Sequence, residues 1–75
     1  MSQNQTPDVA AEVRAELGRQ DRDNTWLASE LGVSEMWVSR RLRGITKFTV
    51  DDLVRIAGVL NIDASEFLRT PVRSA

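Results

Sequence analysis

Four cations crowd into the fourteen residues Ser34 to Lys47: Arg40, Arg41, Arg43 and Lys47, with Glu35 as the single acid among them. A guanidinium is a planar fork of donors, suited to guanine O6 and N7 or to two phosphate oxygens, whereas an ammonium is a compact point charge. Catalysis has far less to work with. The chain contains no His and no Cys, so an imidazole base, a thiolate nucleophile, a zinc ligand set and a disulfide are all excluded. Asp51 and Asp52 are adjacent carboxylates, but on a helix neighbours point about 100° apart, and helix capping explains them. No catalytic residue, metal ligand, cofactor or small-molecule substrate is expected. The chain reads as a binding protein rather than an enzyme.

Whole-chain composition alone argues against a nucleic-acid partner. Of 75 residues, 41% are hydrophobic and 28% charged, with net charge -1 and a pI near 5.3; proteins that coat DNA by charge alone are basic throughout. Counting by segment changes this. Ser34 to Lys47 carries +3, so the remainder carries -4, and the charge is polarised. A chain this short, below the size of a comfortable single core, needs compact helices or a partner. The start, MSQNQTP, has neither a basic region nor an apolar stretch, and no run approaches the ~18 apolar residues of a membrane span. A cytoplasmic protein without membrane contact is expected.

Apolar residues recur at helical spacing, and alternating strand-like runs are missing. The first helix is expected from Pro7, with Thr6 as cap and Asp8 in its first turn, burying Val9, Val13 and Leu17. A second helix, capped by Asp23 or Asn24, buries Leu27, Ala28 and Leu31 and stops at Gly32. Ser34 opens a third, and Gly44 closes it. Thr49 and Asp52 form a capping box for a fourth, which turns Val50, Leu53, Val54, Ile56, Ala57 and Leu60 inward. A short fifth starts at Asp63, where Asp63 and Glu66 repeat that pattern. The expected organisation is a tail at 1–6, a domain at 7–69 and a second tail at 70–75.

Two short helices joined by a tight turn at Gly32 are what a helix-turn-helix requires. At about 100° per residue, Val38 and Leu42 of the third helix share the inward side. Met36, Ser39, Arg40 and Arg43 share the outward one, with Trp37 at its edge and Glu35 on the first turn. That face is the candidate DNA-reading surface.

The segment LASELGVSEMWVSRRLRG, Leu27 to Gly44, followed by ITKFTVDDLVRIAGVLNIDASEFL, resembles the helix-turn-helix domain of the lambda-type phage repressors, the Cro proteins and the related xenobiotic-response-element regulators. The resemblance runs from Val9 to Leu68. It implies an all-α fold, a compact bundle of four to five helices with a central helix-turn-helix. It also implies a sequence-specific regulator, a phage or prophage repressor or Cro-like protein, that inserts helix 34–43 into the major groove of an operator. Residue by residue, Glu35, Met36 and Arg40, with Ser39 beside them, match base-reading positions. Asn24 matches a phosphate contact, and Arg43, Thr46 and Thr49 match contacts to the backbone or an adjacent base; Lys47 lies in the same loop. Ile62, Phe67 and Leu68 lie where related domains pair, as a candidate homodimer face, formed in solution or only on DNA.

The base-reading positions often hold Gln, Ser or Asn in the family, so the Glu, Met and Arg here leave the target sequence open. The start MSQNQTP is not a Lys-rich arm, so no arm contact is expected, and an oligomerisation domain of the kind larger repressors carry is not expected within these 75 residues. Several residues have two readings. Trp37 lies along the DNA backbone or packs across the core edge; Trp26 is partly exposed against the first helix or the DNA. Arg41 contacts DNA or pairs with an acid on a neighbouring helix. Glu35 accepts from cytosine, bonds an arginine of its own helix, or repels phosphate in wrong sequences. Ile62, Phe67 and Leu68 cap the core or form the dimer face. The acidic pI, Glu35 and the two tryptophans also fit a protein-binding adaptor or antirepressor on the same fold, or an antitoxin-like regulator.

Overall fold

The computed structural model describes residues 8–68. Five helices follow in chain order: α1 Val9–Arg19, α2 Asn24–Leu31, α3 Glu35–Leu42, α4 Val50–Leu60 and α5 Ser65–Leu68. No strand occurs among the described residues, and no helix is long and apolar enough to cross a membrane.

The first four helices begin at a side-chain oxygen that takes an otherwise orphaned N–H. Asp8 caps α1 through the Ala11 N–H at 3.0 Å, so the start lies at Asp8; the expected signals Thr6 and Pro7 lie outside the described residues, as does the expected tail from Thr70 to Ala75. Asp23, not Asn24, caps α2 through the Trp26 N–H at 2.8 Å. Ser34 caps α3 through the Trp37 N–H at 3.0 Å. At α4 the Thr49 hydroxyl accepts from the Asp52 N–H and the Asp52 carboxylate from the Thr49 N–H, a complete capping box. At α5 the pattern differs from expectation: Asp63 accepts from the Ser65 N–H, two residues on.

The turn between α2 and α3 depends on Gly32, whose φ of 73° is left-handed backbone. It lets the Gly32 and Val33 N–H groups return to Ala28 O at 2.9 and 3.0 Å, so only three residues separate α2 from α3. Gly44 at φ 81° reverses the chain after α3 in the same manner.

A single core joins α1, α2, α3, α4 and α5 through Val13, Leu17, Leu27, Ala28, Leu31, Val38, Leu42, Leu53, Ile56, Ala57, Leu60 and Phe67, all buried. α2 packs on both α3 and α4, and α1 on α3 and α5. Side chain to backbone bonds stitch the helix ends: Arg14 donates to Leu42 O, Arg55 to Leu31 O at 2.7 Å, and Gln20 to Leu60 O at 2.9 Å. Each acceptor lies in the last turn of its helix, where carbonyls lack an intrahelical partner.

One expectation about burial is corrected, and one open pair of readings is narrowed. Val50 and Val54 of α4 are 62% and 54% exposed; the inward stripe is Leu53, Ile56, Ala57 and Leu60, and at 100° per residue Val50 and Val54 lie on its flank. Phe67 is 1% exposed, so it belongs to the core and offers nothing to a dimer face. Ile62 packs partly buried against the same core, and the side chain of Leu68 lies outside the described residues.

Candidate nucleic-acid interface

Burial of Val38 and Leu42 sets the rotation of α3. With these two at the core, Met36 is 65% exposed, Glu35, Arg40 and Arg43 are exposed, and Ser39 is half-buried at the edge. Asn24, the first residue of α2, comes beside this surface: Asn24, Glu35, Met36, Ser39 and Arg43 line one shallow depression. Two helices thus contribute to one face, which combines a guanidinium, an amide, a hydroxyl, a thioether and one carboxylate. Arg40 is exposed on the same helix four residues after Met36, and so on the same side. Among the described residues no ion pair holds Glu35, Arg40 or Arg43. For Glu35, a bond to an arginine of its own helix is therefore absent.

Arg41 takes a different direction. Its guanidinium lies 3.9 Å from the Trp37 ring centroid, and its Nε is 3.6 Å from Asp52 Oδ2 of α4. The distance is too long for a hydrogen bond, and Arg41 Nε is buried without one; the attraction is coulombic and cation–π. Of the two readings, pairing with a neighbouring acid describes Arg41. Trp37, half-buried under that guanidinium and against the core, follows the packing reading. Trp26 is likewise partly buried against the core, with the Arg22 guanidinium 4.5 Å from its ring centroid.

The loop after α3 is held close to the helix, since the Ile45 and Thr46 N–H groups both donate to Arg40 O, at 2.9 and 3.3 Å. Thr46 and Lys47 line a second groove with Asp8, Val9 and Phe48, separate from the Asn24 depression. The Thr49 hydroxyl oxygen is engaged as the α4 cap, although that bond leaves its own proton to donate.

A larger cleft adjoins the Asn24 depression and shares Asn24, Ser39 and Arg43 with it; its other walls are Arg14, Leu17, Gly18, Arg22 and Leu42. Arg14 and Arg22 are absent from the expected contacts. Arg14 lies one helical turn before Gly18 on α1, whereas Arg22 lies beyond the helix end at Arg19, where helical spacing gives no signal.

The sequence model of the Helix-turn-helix family matches residues 12–67, which takes in α2, α3 and α4 whole. No curated protein matches the chain. Among solved structures, that of a hypothetical transcription factor, NHTF, from Neisseria superposes with a TM-score of 0.78 at 19% identity, covering 91% of this chain and 78% of that one. At this identity the likeness is one of fold.

Proposed function

Because the chain belongs to the helix-turn-helix family of lambda repressor and Cro, we propose that it is a DNA-binding transcriptional regulator that reads a double-stranded operator with α3 in the major groove. The observation that carries this is the outward face of α3. Met36, Ser39, Arg40 and Arg43 stand exposed or half-exposed with Glu35 as the single acid, and Asn24 of α2 adjoins them. Arg40 is the base reader, because its fork matches guanine O6 and N7 in the major groove, a pairing worth about 1 to 3 kcal/mol of discrimination. Met36 and Ser39 read beside it, the thioether against a thymine methyl. Asn24, Arg43, Thr46 and Lys47 hold phosphates, and fix register without carrying sequence information. The finer biology is repression: a small phage or prophage type repressor in the bacterial cytoplasm that occupies its operator and excludes polymerase.

Selection from a random duplex pool at moderate salt tests the reading. A defined motif should be enriched, and a palindrome with half-sites about 34 Å apart would report a dimer on DNA. Enrichment of no motif would sink the proposal. On the selected site, Arg40→Ala should relax preference at one base pair, whereas Lys47→Ala should weaken all sequences alike and lower the salt slope by about one unit. Equal effects of the two substitutions would contradict the assigned roles.

A further inference from the structure

Of the ten basic residues in the chain, nine are arginines and Lys47 is the single lysine. A guanidinium stays protonated and does not take up an acyl group. With Cys and His also missing, the amine of Lys47 is the one side chain on which an electrophilic acyl group would form a stable amide. It stands exposed in the loop after α3, and among the described residues no ion pair holds it. The loop under it is fixed, because the Ile45 and Thr46 N–H groups both donate to Arg40 O.

Lys47 lines a groove of about 300 Å³ with Asp8, Val9, Arg41, Thr46 and Phe48. Its walls divide by chemistry. Val9 and Phe48, packed partly buried against the core, form an apolar side, while Arg41 and Thr46 bring a guanidinium and a hydroxyl. Asp8 is the single acid there, and its Oδ1 is engaged in capping α1 through the Ala11 N–H. Arg41 has donors to spare. Its Nη1 meets Trp37 O at 3.4 Å and its Nε makes no hydrogen bond, which leaves the other terminal nitrogen for an anion.

We propose that Lys47 is an acylation site, served by a small acyl phosphate bound in this groove. The phosphate lies against Arg41 and the Thr46 hydroxyl, and the short alkyl group against Val9 and Phe48. The volume stands at the lower end of the range for ligand sites, about 300 to 1,000 Å³, which suits an acyl phosphate and not a coenzyme-sized thioester. In its unprotonated form Nζ attacks the acyl carbon. The N–C bond forms, the C–O bond to phosphate breaks with its electron pair, inorganic phosphate leaves, and the nitrogen proton passes to water. The product is a neutral amide. Acylation thereby removes the charge of a side chain assigned to DNA phosphate, and the modified chain loses affinity for every sequence. That consequence rests on the DNA-binding reading above, whereas the chemistry of the groove does not.

The experiment treats the chain with acetyl phosphate and follows acetylation of Lys47 by peptide mass mapping, beside a free peptide GITKFT with blocked ends, the sequence of residues 44–49. Lys47 in the folded chain should react about tenfold faster than in the peptide, since the groove holds donor and amine together. Inorganic phosphate should remove that excess by competing for Arg41, and so should Arg41→Gln, with folding checked by thermal melting. With acetyl coenzyme A, chain and peptide should react alike. Equal rates with acetyl phosphate, or an excess that inorganic phosphate leaves untouched, would overturn the site; the same excess with the thioester would overturn the choice of donor.

Anisotropy titrations of the selected duplex at several KCl concentrations read the consequence. The acetylated chain should bind more weakly, with the slope of log K against log salt lower by about 0.9. Lys47→Arg should show one affinity before and after treatment, which separates Lys47 from the α-amino group modified in both. Unaltered affinity and slope after complete acetylation of Lys47 would overturn control of DNA binding by this site. A parent chain that binds no duplex overturns the DNA-binding reading, and the rate comparison then decides the acylation site by itself.

Discussion

The use of a charged side chain here follows from what its neighbours leave exposed. Arg41 and Arg40 are adjacent in sequence, yet one stacks on Trp37 beside Asp52 while the other stands in solvent. The 100° step between them carries Arg41 over α4 and Arg40 away from it. Glu16 shows the same dependence on neighbours in its acidity. Its carboxyl lies below the ordinary value of 4.5 because Gln20 donates to one oxygen, and Arg19 donates to the other and adds its charge. A lowered folded-state pKa means the folded chain binds that proton less readily than the unfolded one. The contribution is therefore present above pH 4.5 and lost as pH falls from there through the lowered value. Glu16→Gln should flatten the fall of Tm between pH 5 and 3, and an unchanged acid limb would remove Glu16 from the account. The magnitude is small, since exposed pairs contribute about 0 to 1 kcal/mol.

At the scale of the element, caps and turns place α3, and hydrophobic burial fixes its rotation. Ser34→Ala removes the oxygen that accepts the Trp37 N–H and should cost about 0.5 to 2 kcal/mol in denaturant unfolding, with the midpoint moving and the slope unchanged. α4 separates true burial from helical periodicity. Leu53→Ala, at a buried position, should cost about 2 to 5 kcal/mol; Val54→Ala, at an exposed one, should stay within about 0.5 kcal/mol of the parent. Comparable losses would mean that α4 sits rotated from the orientation described. The flank carrying Val50 and Val54 shows why the expectation erred: an amphipathic pattern marks a broad apolar stripe, but which edge of the stripe meets a neighbour is set by where α2 packs.

For the whole molecule, charge shows what the chain order conceals. The window Ser34 to Lys47 counts Arg41 toward a basic face, and the fold withdraws it to Asp52. In exchange it brings Arg14 and Arg22, twelve and more residues upstream, against Ser39 and Arg43. Much was legible in the linear sequence because its causes are local. The four longer helices, the caps at Ser34 and Thr49, the turn at Gly32 and the inward pair Val38 and Leu42 each depend on residues within one or two turns. For the same reason the outward set Met36, Ser39, Arg40 and Arg43 could be named from angular spacing alone. Contacts between residues far apart in the chain were not legible in this way. Which of the two readings holds for Phe67 and for Trp37, Asn24 coming beside Glu35 and Met36, and Arg14 of α1 and Arg22 of the next loop lining a cleft with α3 all depend on how helices cross. Helical periodicity and capping are short-range effects of hydrogen bonding and side-chain spacing, so the sequence by itself determined the helices and their faces. Which faces meet is decided by burying one shared core, and only the tertiary structure could show which cations that packing neutralises and which it gathers into one surface.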